Sequence, residues 1–189
     1  MQGIHVLSTK FLIESEVKRL RDAGFQYSFH PFITIESKDD NKTIERTKEI
    51  FEKQDKQTLL VFTSVNALRF IYIAQKYAGK HIKTSKIACI DGITLQNSLN
   101  FFDAKNIVIK APNAARLAEQ IVKSEYKKII HFCGNISLGE VSDALAITGK
   151  TVERFVVYET KFTPMKVRQK YHGVMFFSPS GVESFYSEN

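Results

Sequence analysis

Thr58-Leu59-Leu60-Val61-Phe62-Thr63-Ser64-Val65-Asn66-Ala67-Leu68 is the stretch on which the fold turns. Thr58 to Thr63 is an apolar run of strand length that ends in hydroxylic residues. From Asn66 to Ala78 the spacing becomes helical, with Leu68, Ile71 and Ala74 on one face and Gly79 closing the helix. A strand therefore feeds through a tight turn straight into a helix.

Working outward, the same alternation repeats. On the N-terminal side, Ile4 to Ser8 reads as a strand. A helix follows with Ile13, Val17 and Leu20 inward, ending at Gly24, where a left-handed cap suits glycine. Phe29 to Ile35 reads as one extended segment, with Pro31 marking an edge or crossing strand, and Asn41 to Lys53 as a helix. On the C-terminal side, strands are expected at Lys86–Ile90, Ile107–Lys110, Lys128–Cys133, Val152–Tyr158 and Gly173–Phe177. Helices are expected around Leu95 and Leu99, over Ala114–Ser124, from about Leu138 to Ile147, and from about Ser180. Ser137 with Glu140 reads as a capping box. Regular alternation of this kind predicts an α/β protein with doubly wound parallel sheets.

Val61-Phe62-Thr63-Ser64-Val65-Asn66-Ala67-Leu68 is echoed by Met175-Phe176-Phe177-Ser178-Pro179-Ser180-Gly181-Val182. The interval is too long for a solenoid repeat and fits two copies of one α/β module.

The sequence has 189 residues, 43% of them hydrophobic and 25% charged, an ordinary globular balance. Its longest apolar runs are strand-sized, and its first residues lack the basic-then-apolar pattern of a secretion signal. Cys89 and Cys133 lie in apolar strand-like runs and read as buried free thiols. The cytosol is the expected compartment. A net charge of +7 favours anionic partners. The basic residues are dispersed, however, so neither a nucleic-acid nor a membrane partner is expected.

Ligands of parallel sheets bind where strands end and helices begin. Here those junctions carry Thr63-Ser64-Val65-Asn66, Asp91-Gly92-Ile93-Thr94, Cys133-Gly134-Asn135-Ile136-Ser137 and Ser178-Pro179-Ser180-Gly181. Amides at helix starts can bind carboxylates without a charged side chain. Taken singly, each hydroxylic residue equally reads as a helix N-cap. No phosphate-binding loop, HExxH or paired CxxC occurs, and His131 reads as a packed core residue. Tyr158 ends a strand just before Glu159-Thr160-Lys161. An ordinary phenol keeps its proton at neutral pH and could donate it to a departing hydroxide.

Leu60 to Leu68 resembles the first FTS turn of uroporphyrinogen-III synthases, and Phe176 to Val182 resembles their second. Phe132-Cys133-Gly134-Asn135, Val157-Tyr158-Glu159-Thr160 and the Gly92–Leu95 turn fall between them in the family's order. The resemblance implies two α/β domains joined by a two-stranded linker, with large relative motion. Residues 1–34 with 161–189 would form the first domain and 35–160 the inserted second. It also implies cyclisation of hydroxymethylbilane, with loss of water and inversion of ring D, to uroporphyrinogen III. Neither metal nor organic cofactor takes part, and the substrate is a linear tetrapyrrole with many carboxylates. Tyr158 matches the tyrosine proposed to assist loss of the hydroxyl; Thr63, Ser64, Asn66, Thr94, Gly134, Asn135, Ser178 and Ser180 match turns that contact substrate. Family sequences continue past the second turn with another strand and helix, so a first domain truncated at its C-terminus is expected, in a monomer. The rival expectations are a non-catalytic two-domain binding protein for a small anion or polycarboxylate, and a basic nucleic-acid-binding module.

Overall fold

A computed structural model describes residues 3–78, 81–136, 139–146 and 148–189. The chain divides into two compact units, Met1–Ile35 with Thr160–Asn189, and Glu36–Glu159.

The larger unit is organised around the Thr58–Leu68 stretch. Strand β4 (Thr58–Phe62) is buried at every position. Its neighbours β5 (Ile87–Ile90), β6 (Ile107–Ala111), β7 (Lys128–Gly134) and β8 (Thr151–Phe162) pair in the order β8-β7-β4-β5-β6, and every registered pair is parallel. Strand side chains alternate between faces, which splits the core in two. Leu60 and Phe62 face α2 (Asn41–Glu52) and α3 (Val65–Ala78), meeting Ile50, Phe51, Leu68 and Ile71. Leu59 and Val61 face α6 (Ala114–Val122) and α7 (Glu140–Ala146), meeting Leu117, Ile121, Val141 and Leu145. Helices thus cover both faces of this sheet, which is why β4 is apolar on both faces from Leu59 to Phe62. The chain adds β5 and β6 to one side of β4 and then returns to add β7 and β8 on the other. The order reverses between β4 and β7.

The smaller unit is built on a three-stranded parallel sheet, β2-β1-β9. Strand β1 (Ile4–Ser8) lies between β2 (Phe25–Phe29) and β9 (Gly173–Met175). Leu7 of β1 clusters with Phe32 and with Phe185 of α8 (Pro179–Tyr186). Helix α1 (Glu14–Asp22) runs on to Gly24, whose φ of +82° is the expected left-handed turn.

Four sequence expectations need correction. The strand expected to end at Tyr158 is β8, which runs on to Phe162, so Tyr158 lies within it. The single extended segment Phe29–Ile35 is two strands, β2 and β3 (Ile33–Ser37), parted at His30-Pro31-Phe32. Pro31 has no N–H to give a ladder and sits in the break. Strand β3 joins the six-stranded sheet beside β8. Ile13 is not on the buried face of α1: it is the residue before the helix and 60% exposed, and Val17 is the buried apolar side chain of α1. A four-residue helix, α4 (His81–Thr84), was not expected. The short helix expected around Leu95 and Leu99 is α5 (Ile93–Ser98). The glycine cap at Gly79, the Ser137–Glu140 capping box, and helix ends at Leu138 and Ile147 lie outside the described residues.

Candidate functional site

In an open parallel sheet the crevice forms beyond the carboxyl ends of the strands, where strand order reverses. In the larger unit that point lies between β4 and β7, so the residues after Phe62 and around Gly134 occupy it.

After β4, Thr63, Ser64 and Asn66 are half-buried. The Ser64 Oγ accepts the Asn66 N–H at 3.2 Å, and its carbonyl accepts the Ala67 N–H. Ser64 therefore does cap α3. The Asn66 Oδ1 accepts from Arg69 Nη1 at 3.1 Å, which leaves the amide NH2 to donate and sets an exposed guanidinium one turn from the strand end. Arg69 was not singled out from the sequence; only its place three residues after Asn66 could have suggested it. The Thr63 Oγ1 lies 2.9 Å from the Nε2 of His131, on the neighbouring strand β7.

After β7, Gly134 pairs with Tyr158 of β8 across an irregularity in the register at Cys133/Gly134. The Asn135 N–H donates to the Tyr158 carbonyl at 3.2 Å, closing the turn. The Tyr158 ring lies against the bare face of Gly134: a Cβ there would sit 2.5 Å from Cε2, 2.7 Å from Cζ and 3.1 Å from the hydroxyl. Tyr158 is 9% exposed and packs in the cluster of Phe62, Phe132 and Val157, while its hydroxyl hydrogen-bonds to no described residue. Asn135 is exposed beside it. Thr63, Ser64, Asn66, Gly134, Asn135 and Tyr158 are thus brought to one edge of one sheet.

Three further positions were expected at the site. Thr94 is in the first turn of α5 and only 2% exposed, with its carbonyl taken by the Ser98 hydroxyl, so its side chain belongs to the core. Ser178 and Ser180 lie in the smaller unit. The Ser178 Oγ caps α8 by accepting the Gly181 N–H at 3.1 Å and lies 3.2 Å from the Ser180 Oγ.

His131 is 3% exposed, and burial, with a smaller contribution from the Arg154 cation, lowers its pKa to about 4. Burial likewise pushes the thiols of Cys89 and Cys133 up, that of Cys133 against an opposing pull from Arg154. Both cysteines are free and buried. Among the described residues no group of three His, Cys, Asp or Glu side chains converges as a metal site, and no helix is long and apolar enough to cross a membrane. Two surface hollows share no residue with these turns. One, of about 310 Å³, is lined by Leu12, Glu16, Arg19, Leu20 and Met175. The other, of about 250 Å³, is lined by residues 36–40 and Glu159.

The family model of uroporphyrinogen-III synthase HemD matches residues 14–187. No curated protein matches the chain significantly. Among solved structures, a mutant uroporphyrinogen III synthase from Thermus thermophilus is similar at 13% identity and a TM-score of 0.62, over 86% of this chain and 64% of that one. Uroporphyrinogen-III synthetase from Helicobacter pylori is similar at 12% identity and a TM-score of 0.59, over 98% of this chain and 78% of that one. At such identities the structural likeness speaks for the fold. The chain spans less than two thirds of the Thermus protein's length. With 174 of the 189 residues inside the family match, the chain belongs to the uroporphyrinogen-III synthase family.

Proposed function

We propose that this protein cyclises hydroxymethylbilane to uroporphyrinogen III, with loss of water and inversion of ring D. The observation that carries the reading is the family match together with the placement of Tyr158: a phenol whose hydroxyl bonds to no described residue, packed on Gly134 beside the point where strand order reverses.

Each part of that edge has a task in such a reaction. The positive dipole end at the start of α3, the Thr63 hydroxyl, the Asn66 side-chain amide, the Asn135 turn and the nearby Arg69 offer donors and positive potential to the substrate carboxylates. Gly134 contributes by lacking a side chain, which lets the Tyr158 ring approach the backbone. Tyr158 donates a proton as the substrate hydroxyl leaves, so that water departs in place of hydroxide. Most of the rate then comes from folding a flexible chain of four pyrroles into a closing geometry. Ser178 and Ser180 are proposed as further carboxylate contacts of the same substrate. Thr94 acts only through the turn it stabilises. The strands β3 and β8, which carry the chain from one unit to the other, are proposed as a two-stranded linker. The net charge of +7 supports an anionic substrate. A cofactor-independent cytoplasmic monomer completes the proposal.

The test is to supply hydroxymethylbilane generated in situ and separate the oxidised products by isomer. Type III in excess over the spontaneous type I ring is expected. Type I alone would overturn the synthase reading, and tetrapyrrole binding without turnover would then mark a two-domain anion-binding protein.

A further inference from the structure

We propose that His131 is a positioning residue that fixes the polarity of the Thr63 hydroxyl, making it a dedicated hydrogen-bond donor to a carboxylate of the substrate. The identity of that carboxylate rests on the proposed synthase reading; the hydrogen-bond polarity does not.

His131 sits on β7 with its ring 3% exposed. Its Nε2 is 2.9 Å from the Thr63 Oγ1, and its Nδ1 has no hydrogen-bond partner among the described residues. The imidazolium is disfavoured by burial and by the Arg154 cation paired opposite on β8, so the ring is neutral near pH 7. A neutral imidazole has one N–H and one bare nitrogen, and the two tautomers are unequal here. With the proton on Nδ1, a buried N–H would have no acceptor, which is the rarer and costlier orphan. With the proton on Nε2, only a lone pair goes unmet. The proton therefore sits on Nε2 and is donated to the Thr63 oxygen.

The consequence lies at Thr63. A hydroxyl can ordinarily rotate to give or to receive a hydrogen bond. The Thr63 oxygen already receives one, and no described residue accepts its hydrogen. That hydrogen is left for a ligand at the end of β4, and donation into the oxygen strengthens its own donation outward. The pair selects an acceptor such as a carboxylate oxygen and rejects a donor. Without His131, Thr63 would be a free rotor of either polarity.

Two measurements test this. In 15N-histidine-labelled protein at pH 7, His131, identified by the His131→Gln spectrum, is expected to show a protonated Nε2 and a bare Nδ1. The reverse tautomer would overturn the proposal. In steady-state cyclisation of hydroxymethylbilane, Thr63→Val is expected to raise KM about tenfold with kcat little changed, the low end for a hydrogen bond to a charged group. His131→Phe should raise KM several-fold, His131→Gln should recover most of that by offering an amide N–H, and His131→Phe should add nothing in a Thr63→Val background. Equal effects of His131→Phe in both backgrounds would mark a merely structural role and overturn the proposal. A chain with no turnover would sink the synthase reading instead, and the tautomer would still decide this one.

Discussion

Replacing Gly134 by alanine strikes the contact that sets Tyr158 in place. The added Cβ would lie 2.5 Å and 2.7 Å from two ring carbons, where ordinary contact begins at 3.4 Å. The ring would have to retreat by roughly 0.9 Å or more, yet it is 9% exposed and packed into the Phe62 and Phe132 cluster, so there is little room behind it. Overpacking of this kind costs about 1–3 kcal/mol. At about 2–4 °C per kcal/mol for a chain of this size, the melting temperature should fall by roughly 2–12 °C. Because the ring carries the proposed acid, turnover should also fall, by a factor comparable with Tyr158→Phe. Thermal unfolding followed by circular dichroism reads the first effect, and the rate of type III product reads the second. A double-mutant cycle isolates the cause: in a Tyr158→Leu background, which removes the ring, Gly134→Ala should cost at least ~1 kcal/mol less. If Gly134→Ala leaves stability within about 0.5 kcal/mol of the parent, the ring is not clamped on Gly134 and the reasoning fails.

Tyr158→Phe keeps the ring and removes the proton; turnover should drop by tenfold or more without vanishing, since a general acid is worth about 10² to 10⁴ and positioning survives. An unchanged rate removes Tyr158 from the chemistry. Acid should destabilise the protein through His131: the unfolded residue titrates near 6.5 and the folded one at about 4, so between those values the unfolded state alone gains the proton. Stability that is present above pH 6.5 is therefore lost as pH falls, by about 3 kcal/mol at most. His131→Phe should flatten the melting-temperature profile across that window, and a profile parallel to the parent's would contradict the assignment. Cys89 and Cys133 should resist an aromatic disulfide reagent in the native protein and react on unfolding, because burial holds both thiols protonated. Rapid native labelling of either would show that its strand opens.

Physical scale explains which features were legible in the sequence. The Leu59-to-Phe62 run announces its strand because a strand covered by helices on both faces must be apolar on both. Strand β2 hides because it is short and half-exposed, immediately follows the Gly24 turn, and is followed by Pro31, which invited one extended segment across the break. Helix α4 is too short to show periodicity. The turns at Ser64 and Ser178 are readable as hydroxyls before helices, and both side chains do cap. The partnerships that give the site its character are not readable. Thr63 meets His131 across 68 residues of chain, and Tyr158 meets Gly134 through a register irregularity between parallel strands. His131 lies within an apolar strand, where only the neighbouring strand end reveals a polar task for it.

In the proposed function the tetrapyrrole binds at the carboxyl edge of the six-stranded sheet, at the β4/β7 reversal. The most direct test titrates uniformly 15N-labelled protein with uroporphyrin III, the oxidised form of the expected product, and follows backbone amide shifts. Shifts are expected to concentrate on residues 63–67, on Gly134 and Asn135, and on the Asn66 side-chain amide, and to weaken in Thr63→Val. Shifts confined to other strand ends or to the hollows, with residues 63–67 and 134–135 unmoved at saturation, would contradict it.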